Sequence, residues 1–142
     1  MKSYDPYELM IIFPNKKTEM LIHEIRTIWP NLDLVRDLIT LGANLDWQNE
    51  DGLTALHRCV FWNHPEIARM IIDAGADLNI QDENGMTALH WCAWTTDPAW
   101  TTDPEIVRML IEAGADKTIP DNRGRLPYDL TIKSEFLKLL KV

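Results

Sequence analysis

A chain of 142 residues is long enough to bury roughly two-thirds of the surface that its unfolded form exposes, so a single domain with its own core is expected. Apolar residues make up 46% and charged residues 25%, too apolar a balance for a disordered chain. With 22 acidic against 14 basic side chains the net charge is −8, which repels phosphate backbones and sets nucleic acid aside as a partner.

Residues 1–16 form an N-terminal extension in which Pro6 to Phe13 is expected to be helical. The apolar run Leu9 to Phe13 is short, is cut by Pro14 and lacks a small-residue cleavage site. Neither a signal peptide nor a membrane span is expected, and the expected compartment is the cytoplasm, with the nucleus as the alternative. A first helix is expected over Lys17 to Trp29, and the next apolar run, in LVRDLITLGANL, stops at Gly42.

Thr54 is a good helix N-cap, and Leu56, Cys59 and Val60 follow at i, i+3 and i+4, which predicts a helix to Trp62. Pro65 suits a first helical position, with Ile67, Met70 and Ile71 as the apolar stripe, so a second helix is expected over Pro65 to Ala74 and stops at Gly75. The segment ADLNIQDENG alternates loosely and ends in Asn84-Gly85, which predicts an extended hairpin finger.

This unit recurs. DGLTALHRC, Asp51 to Cys59, returns as NGMTALHWC, Asn84 to Cys92, and both Thr54 to Thr87 and His57 to His90 span 33 residues. The apolar runs end at Gly42, Gly75 and Gly114, at intervals of 33 and then 39 residues. The surplus six residues match AWTTDPAWTTDP, Ala93 to Pro104, in which one hexapeptide is written twice. Deleting either copy restores the period. Short helices of this kind cannot bury their stripes alone, so stacked neighbours must supply the core, as in a solenoid.

Gly52, Thr54 to His57, Gly75-Ala76-Asp77, Gly85, Thr87 to His90 and Gly114-Ala115-Asp116 resemble, in order and spacing, the G-x-T-[PA]-L-H and G-A-D-x-N signatures of the ankyrin repeat family. The resemblance implies an all-α solenoid of helix-turn-helix units with β-hairpin fingers, about four repeats including caps. Its parts are an N-cap repeat at 17–49, a repeat at 50–82, a repeat at 83–121 carrying a six-residue insertion at 99–104, and a C-cap repeat at 122–142. Within it, the matched His57 and His90 could suggest a metal pair, but the family implies bonds to the threonine hydroxyl and neighbouring backbone. Cys59 and Cys92 lie one repeat apart, about 10 Å for packed helices and beyond the reach of a disulfide, so two buried thiols are expected.

The family usually binds proteins through a concave face of finger tips and first-helix side chains. Mapped onto this chain, the tips are Gln48, Glu50, Asp51 and Leu53, then Gln81, Glu83, Asn84 and Met86, then Pro120, Asn122 and Arg123. The first-helix ends are Phe61 and Trp62, then Trp94 and Thr95. The aromatics are either anchors for a partner or packed on one another. Trp91 is expected in the core, and Trp47 has no assigned role.

Six residues would rotate a helix by about 600°, turning its stripe from the core, so the insertion cannot lie within a helix. The next helix is expected to start with Asp103 as N-cap and Pro104 first. Thr95 to Pro98 and much of the second copy should then protrude as a loop, with Trp94 or Trp100 able to fold back. The loop either widens the binding rim or is a passenger. The expected function is a monomeric, non-catalytic module that binds a protein with a basic or amphipathic surface, without cofactor, metal, nucleic acid or membrane. The protein-binding set is Glu50, Asp51, Leu53, Phe61, Trp62, Glu83, Asn84, Met86, Trp94, Thr95 and Trp100. A structural, inhibitory or effector subunit dedicated to one protein is the alternative. No nucleophile elbow, phosphate loop or Cys-x-x-Cys favours an enzyme.

Overall fold

Residues 15–94 and 103–142 are described by the computed structural model; the helix expected over Pro6 to Phe13, Thr95, Trp100 and the body of the expected loop lie outside them. Among the described residues the helices are α1 (Lys16–Ile25), α2 (Leu32–Thr40), α3 (Ala55–Trp62), α4 (Pro65–Asp73), α5 (Ala88–Trp94), α6 (Pro104–Glu112) and α7 (Ser134–Leu140), with a 3-10 turn at Pro127–Leu130 before α7. They form two layers. In one, α1, α3, α5 and the 3-10 turn pack in succession; in the other, α2, α4, α6 and α7 do the same, and α1–α2, α3–α4 and α5–α6 join the layers.

The core lies between the layers. Leu21 and Ile25 of α1, Leu56 and Cys59 of α3, and Leu89 and Cys92 of α5 meet Val35 and Leu38 of α2, Ile67 and Ile71 of α4, and Ile106 and Leu110 of α6, all essentially without exposure. Their i, i+3, i+4 spacing puts each set on one helix face, and each large side chain contributes about 1.5–3 kcal/mol on burial. Phe136 and Leu140 of α7 close the C-terminal end.

Local chemistry fixes the helix starts. The Thr54 side chain accepts the His57 amide while the Thr54 amide donates to His57 Nδ1 at 3.1 Å, a reciprocal cap on α3. Thr87 and His90 repeat the 3.1 Å bond on α5. At the last repeat Asp129 takes the histidine's place, accepting the Leu126 amide at 2.8 Å. Pro65 and Pro104 open α4 and α6, and Asp103 caps α6 by accepting the Glu105 amide at 2.9 Å, so this start is where the sequence puts it.

Three expectations change. α1 ends at Ile25 instead of Trp29, because the Thr27 amide and hydroxyl both turn back to the Glu24 carbonyl, at 3.1 and 2.8 Å. Ile28 and Trp29 are thereby left exposed. α4 ends one residue early, at Asp73, with Ala74 as its C-cap. The fingers contain no strand among the described residues. Each is a tight turn closed by two backbone bonds: the amides of Asn49, Asp82 and Asp121 donate to the carbonyls of Leu53, Met86 and Arg125, and the amides of Gly52, Gly85 and Gly124 donate back to the carbonyls of Asn49, Asp82 and Asp121. In each, the first residue's Oδ1 accepts two further amides, which holds the chain curled instead of extended.

Successive fingers are stitched together. The Glu83 amide donates to the Asp51 carbonyl and the Asn122 amide to the Asn84 carbonyl, both at 3.0 Å. Gln48 Nε2 spans the Gly52 and Gln81 carbonyls at 2.8 and 3.0 Å, and Gln81 Nε2 spans those of Gly85 and Pro120 at 2.9 and 3.1 Å. This approach demands glycine at two points. Gly52 and Gly85 have φ of +78° and +75°, and a Cβ would lie 2.8 Å from the Glu83 nitrogen or 2.7 Å from the Asn122 nitrogen.

Candidate functional site

The layer of α1, α3 and α5 carries a row of aromatic side chains that the core does not absorb. Phe61 and Trp62 end α3 with 50% and 37% exposure, and Trp94 ends α5 with 52%. Trp91 and Trp94, one turn apart, share a face of α5, and the packing of α5 on α3 sets that face beside Phe61. The Phe61 and Trp62 rings meet edge to face at 5.2 Å, and Trp91 stands 6.1 Å from each of Phe61, Trp94 and His57. The aromatics therefore pack on one another and still face outward.

Two residues differ from their expected places. Trp91 is half-buried at the edge of the core, because its indole N–H donates to Asp82 Oδ2 at 2.9 Å and this bond draws the ring toward the finger. Met86 is buried, with 5% exposure: the Asp82 turn pulls its amide inward and its carbonyl lies 2.9 Å from His57 Nε2, so its side chain presents nothing to a partner.

Beside the aromatic row is a groove of about 350 Å³ lined by Arg26, Leu53, His57, Arg58, Phe61, Trp62 and Trp91. Leu53 is half-buried there, while Glu50, Asp51, Glu83 and Asn84 are exposed on the fingers. Arg26, Arg58 and Trp91 are the residues that sequence reasoning missed. A signal existed for two of them, since Arg58 and Trp91 hold one repeat position, and an arginine tolerated there argues for the core's edge.

His57 Nδ1 faces the Thr54 amide and hydroxyl, and Nε2 donates to the Met86 carbonyl. His90 does the same with Thr87 and the Arg125 carbonyl. Both ring nitrogens are committed in each, which leaves neither for a metal. Burial lowers both imidazole pKa values, outweighing the carbonyl bonds that work to raise them. Burial also pushes the Cys59 and Cys92 thiols well above their ordinary range, which makes them poor nucleophiles. For Asp121, burial works to raise the pKa, but bonds from the Arg125 and Arg123 amides and the Arg125 guanidinium together hold it below the usual carboxylate value.

Trp47, at 44% exposure, borders a separate depression with Thr18, Ile22 and Asn44 at the N-terminal edge. Among the described residues no helix is long and apolar enough to cross a membrane.

The family model described as "Ankyrin repeats (3 copies)" matches residues 26–121. Comparison with curated proteins finds no match. Ankyrin repeats generally mediate protein–protein interaction. The matched span covers most of the chain and takes in α2 to α6 with the first two fingers, so the chain belongs to the ankyrin repeat family.

Proposed function

We propose that the chain is a non-catalytic module that docks another protein across the face made by α1, α3, α5 and the fingers. The observation that carries this reading is the aromatic row: Phe61, Trp62 and Trp94 keep between 37% and 52% of their surface exposed beside a groove. Aromatic rings offer large contact area at little entropic cost, which makes them suited to anchoring a partner. Trp91 and Leu53 extend the apolar surface inward. Glu50, Asp51 and Glu83, with Asn84 among them, form an acidic rim that would speed the approach of a basic or amphipathic partner. Thr95 and Trp100 belong to the duplicated segment, which would widen the same rim from below. The module works as a monomer, since its site needs no second copy.

The test is affinity capture from source-cell lysate with the intact chain, with Trp62→Ala and with a variant lacking Ala99 to Pro104. A partner held by the intact chain and lost on Trp62→Ala is the expected result. Retention of every partner by Trp62→Ala would remove the aromatic row from the site. Loss on deleting the six residues would give the duplication a part in binding.

A further inference from the structure

The groove is lined by a guanidinium, that of Arg58, with one buried nitrogen that nothing among the described residues satisfies. Arg58 Nε is buried and has no hydrogen-bond partner. The three fingers explain why. Asp82 uses one carboxylate oxygen for its own turn and gives the other to the Trp91 indole N–H. Asp121 likewise turns its second oxygen to the Arg125 guanidinium, at 2.9 Å from Nε and 2.8 Å from Nη2. The first finger has Asn49 at this position. Its Oδ1 is spent on the Asp51 and Leu53 amides, and its other terminal atom is an amide nitrogen, which cannot accept. Arg58 stands at the position of Trp91 one repeat earlier and so receives nothing from its finger.

A second guanidinium adds to the demand. Arg26 lines the same groove and its charge disfavours that of Arg58, while Asp51 opposes this only through space. Among the described residues neither arginine has a carboxylate within ion-pair distance.

We propose that this groove receives an aspartate or glutamate side chain of the partner protein, held by Arg58 and Arg26, with the partner's adjacent apolar side chain against Phe61, Trp62 and Leu53. The inference rests on the docking face proposed above and names what enters it. A carboxylate matches the planar fork of a guanidinium, and the two guanidiniums that line this groove have no carboxylate of their own among the described residues. The exposed carboxylates of Glu50, Asp51 and Glu83 nearby tolerate a monoanion better than a phosphate dianion. The apolar walls favour a protein segment over a small acid, which would leave them uncovered. The partner segment therefore carries an acidic residue beside an apolar one, with basic flanks toward the finger tips.

The experiment is selection of random displayed dodecapeptides on the full chain, repeated on Arg58→Met, Asn49→Asp and Trp62→Ala. Peptides enriched on the intact chain should pair an acidic residue with an aromatic or aliphatic one. Changing that acid to its amide should weaken binding about tenfold or more to the intact chain, and less than about twofold to Arg58→Met. Asn49→Asp, which supplies an internal carboxylate to Arg58, should also weaken the acidic peptides. Enriched peptides without an acid, or equal losses on the intact chain and Arg58→Met, overturn the inference and leave the docking face standing. Tighter binding of a phosphoserine in place of the acid overturns the choice of carboxylate. Peptides indifferent to Trp62→Ala overturn the docking face itself.

Discussion

Two buried histidines set a pH dependence at the scale of single residues. His57 and His90 have pKa values lowered from the ordinary 6.5 because burial disfavours their charged forms. Between those lowered values and pH 6.5 the unfolded chain binds more protons than the folded one. Their contribution to stability is therefore complete above pH 6.5 and is lost as the solution is acidified through that range. Thermal unfolding followed from pH 7.5 down to 5 should show the midpoint falling below about pH 6.5, with a shallower fall in His57→Gln. A midpoint independent of pH over that range would contradict the burial of neutral imidazoles.

Arg58 supplies a second prediction at this scale. Its unpartnered Nε carries a desolvation cost that no contact within the described residues offsets. Arg58→Met keeps an apolar stem and removes that cost, so it is expected to stabilise the chain by about 1 kcal/mol in urea unfolding. Destabilisation of that size would mean that the guanidinium has a structural role. Most core variants act in the opposite direction, which makes the sign diagnostic.

The informative elements are the fingers. Sequence mapping gave Gln48 and Gln81 the role of tip residues, but each side-chain amide bridges two carbonyls on successive fingers. Gln81→Ala should cost about 1–2 kcal/mol, the net worth of two hydrogen bonds, measured by chemical denaturation. Gly85→Ala should cost at least about 2 kcal/mol, since it combines a positive φ with a clash against the Asn122 backbone. A neutral Gly85→Ala would require the two fingers to separate without loss. These elements were partly legible. The Asn84-Gly85 pair announced a turn, and Thr54, Pro65, Asp103 and Pro104 announced helix starts, because capping depends on atoms within a few residues. Strands were expected at the fingers and are not found, because Asn49, Asp82 and Asp121 curl the backbone through their side chains.

At the scale of the whole molecule, the stack has neighbours on both sides of every complete repeat, so stability spreads through interfaces between repeats. The Asn63 side chain accepts the Asp103 amide at 2.9 Å, and His64 Nε2 lies 3.0 Å from the Thr27 carbonyl, so the connections between layers are tied across repeats as well. Removing Ala99 to Pro104 leaves Asp97-Pro98 to replace Asp103-Pro104 in sequence. Shortening this nine-residue connection to three changes loop entropy by roughly 1 kcal/mol, so the deletion should unfold within about that much of the parent. A larger loss would show that the duplicated segment contributes packing. At the C-terminal end, Phe136→Ala should cost about 3–5 kcal/mol, because a fully buried ring would leave a cavity under α7. Hydrogen exchange should then quicken first in α6 and α7, which pack together.

The sequence by itself determined the repeat, its period, the surplus hexapeptide, the helix pairs and the family, since all of these are carried by local patterns that recur along the chain. It placed Phe61, Trp62 and Trp94 at the ends of the first helices, but whether they pack on one another or face outward was left to the tertiary structure, in which they do both. Tertiary structure alone decided that Trp91 leans to Asp82, that Met86 turns inward, and that Arg58 is left beside Arg26 without an acceptor. Each of those depends on which atom of a finger meets which atom of a helix several residues away. A change as small as asparagine for aspartate at position 49 alters that meeting while leaving the repeat pattern untouched.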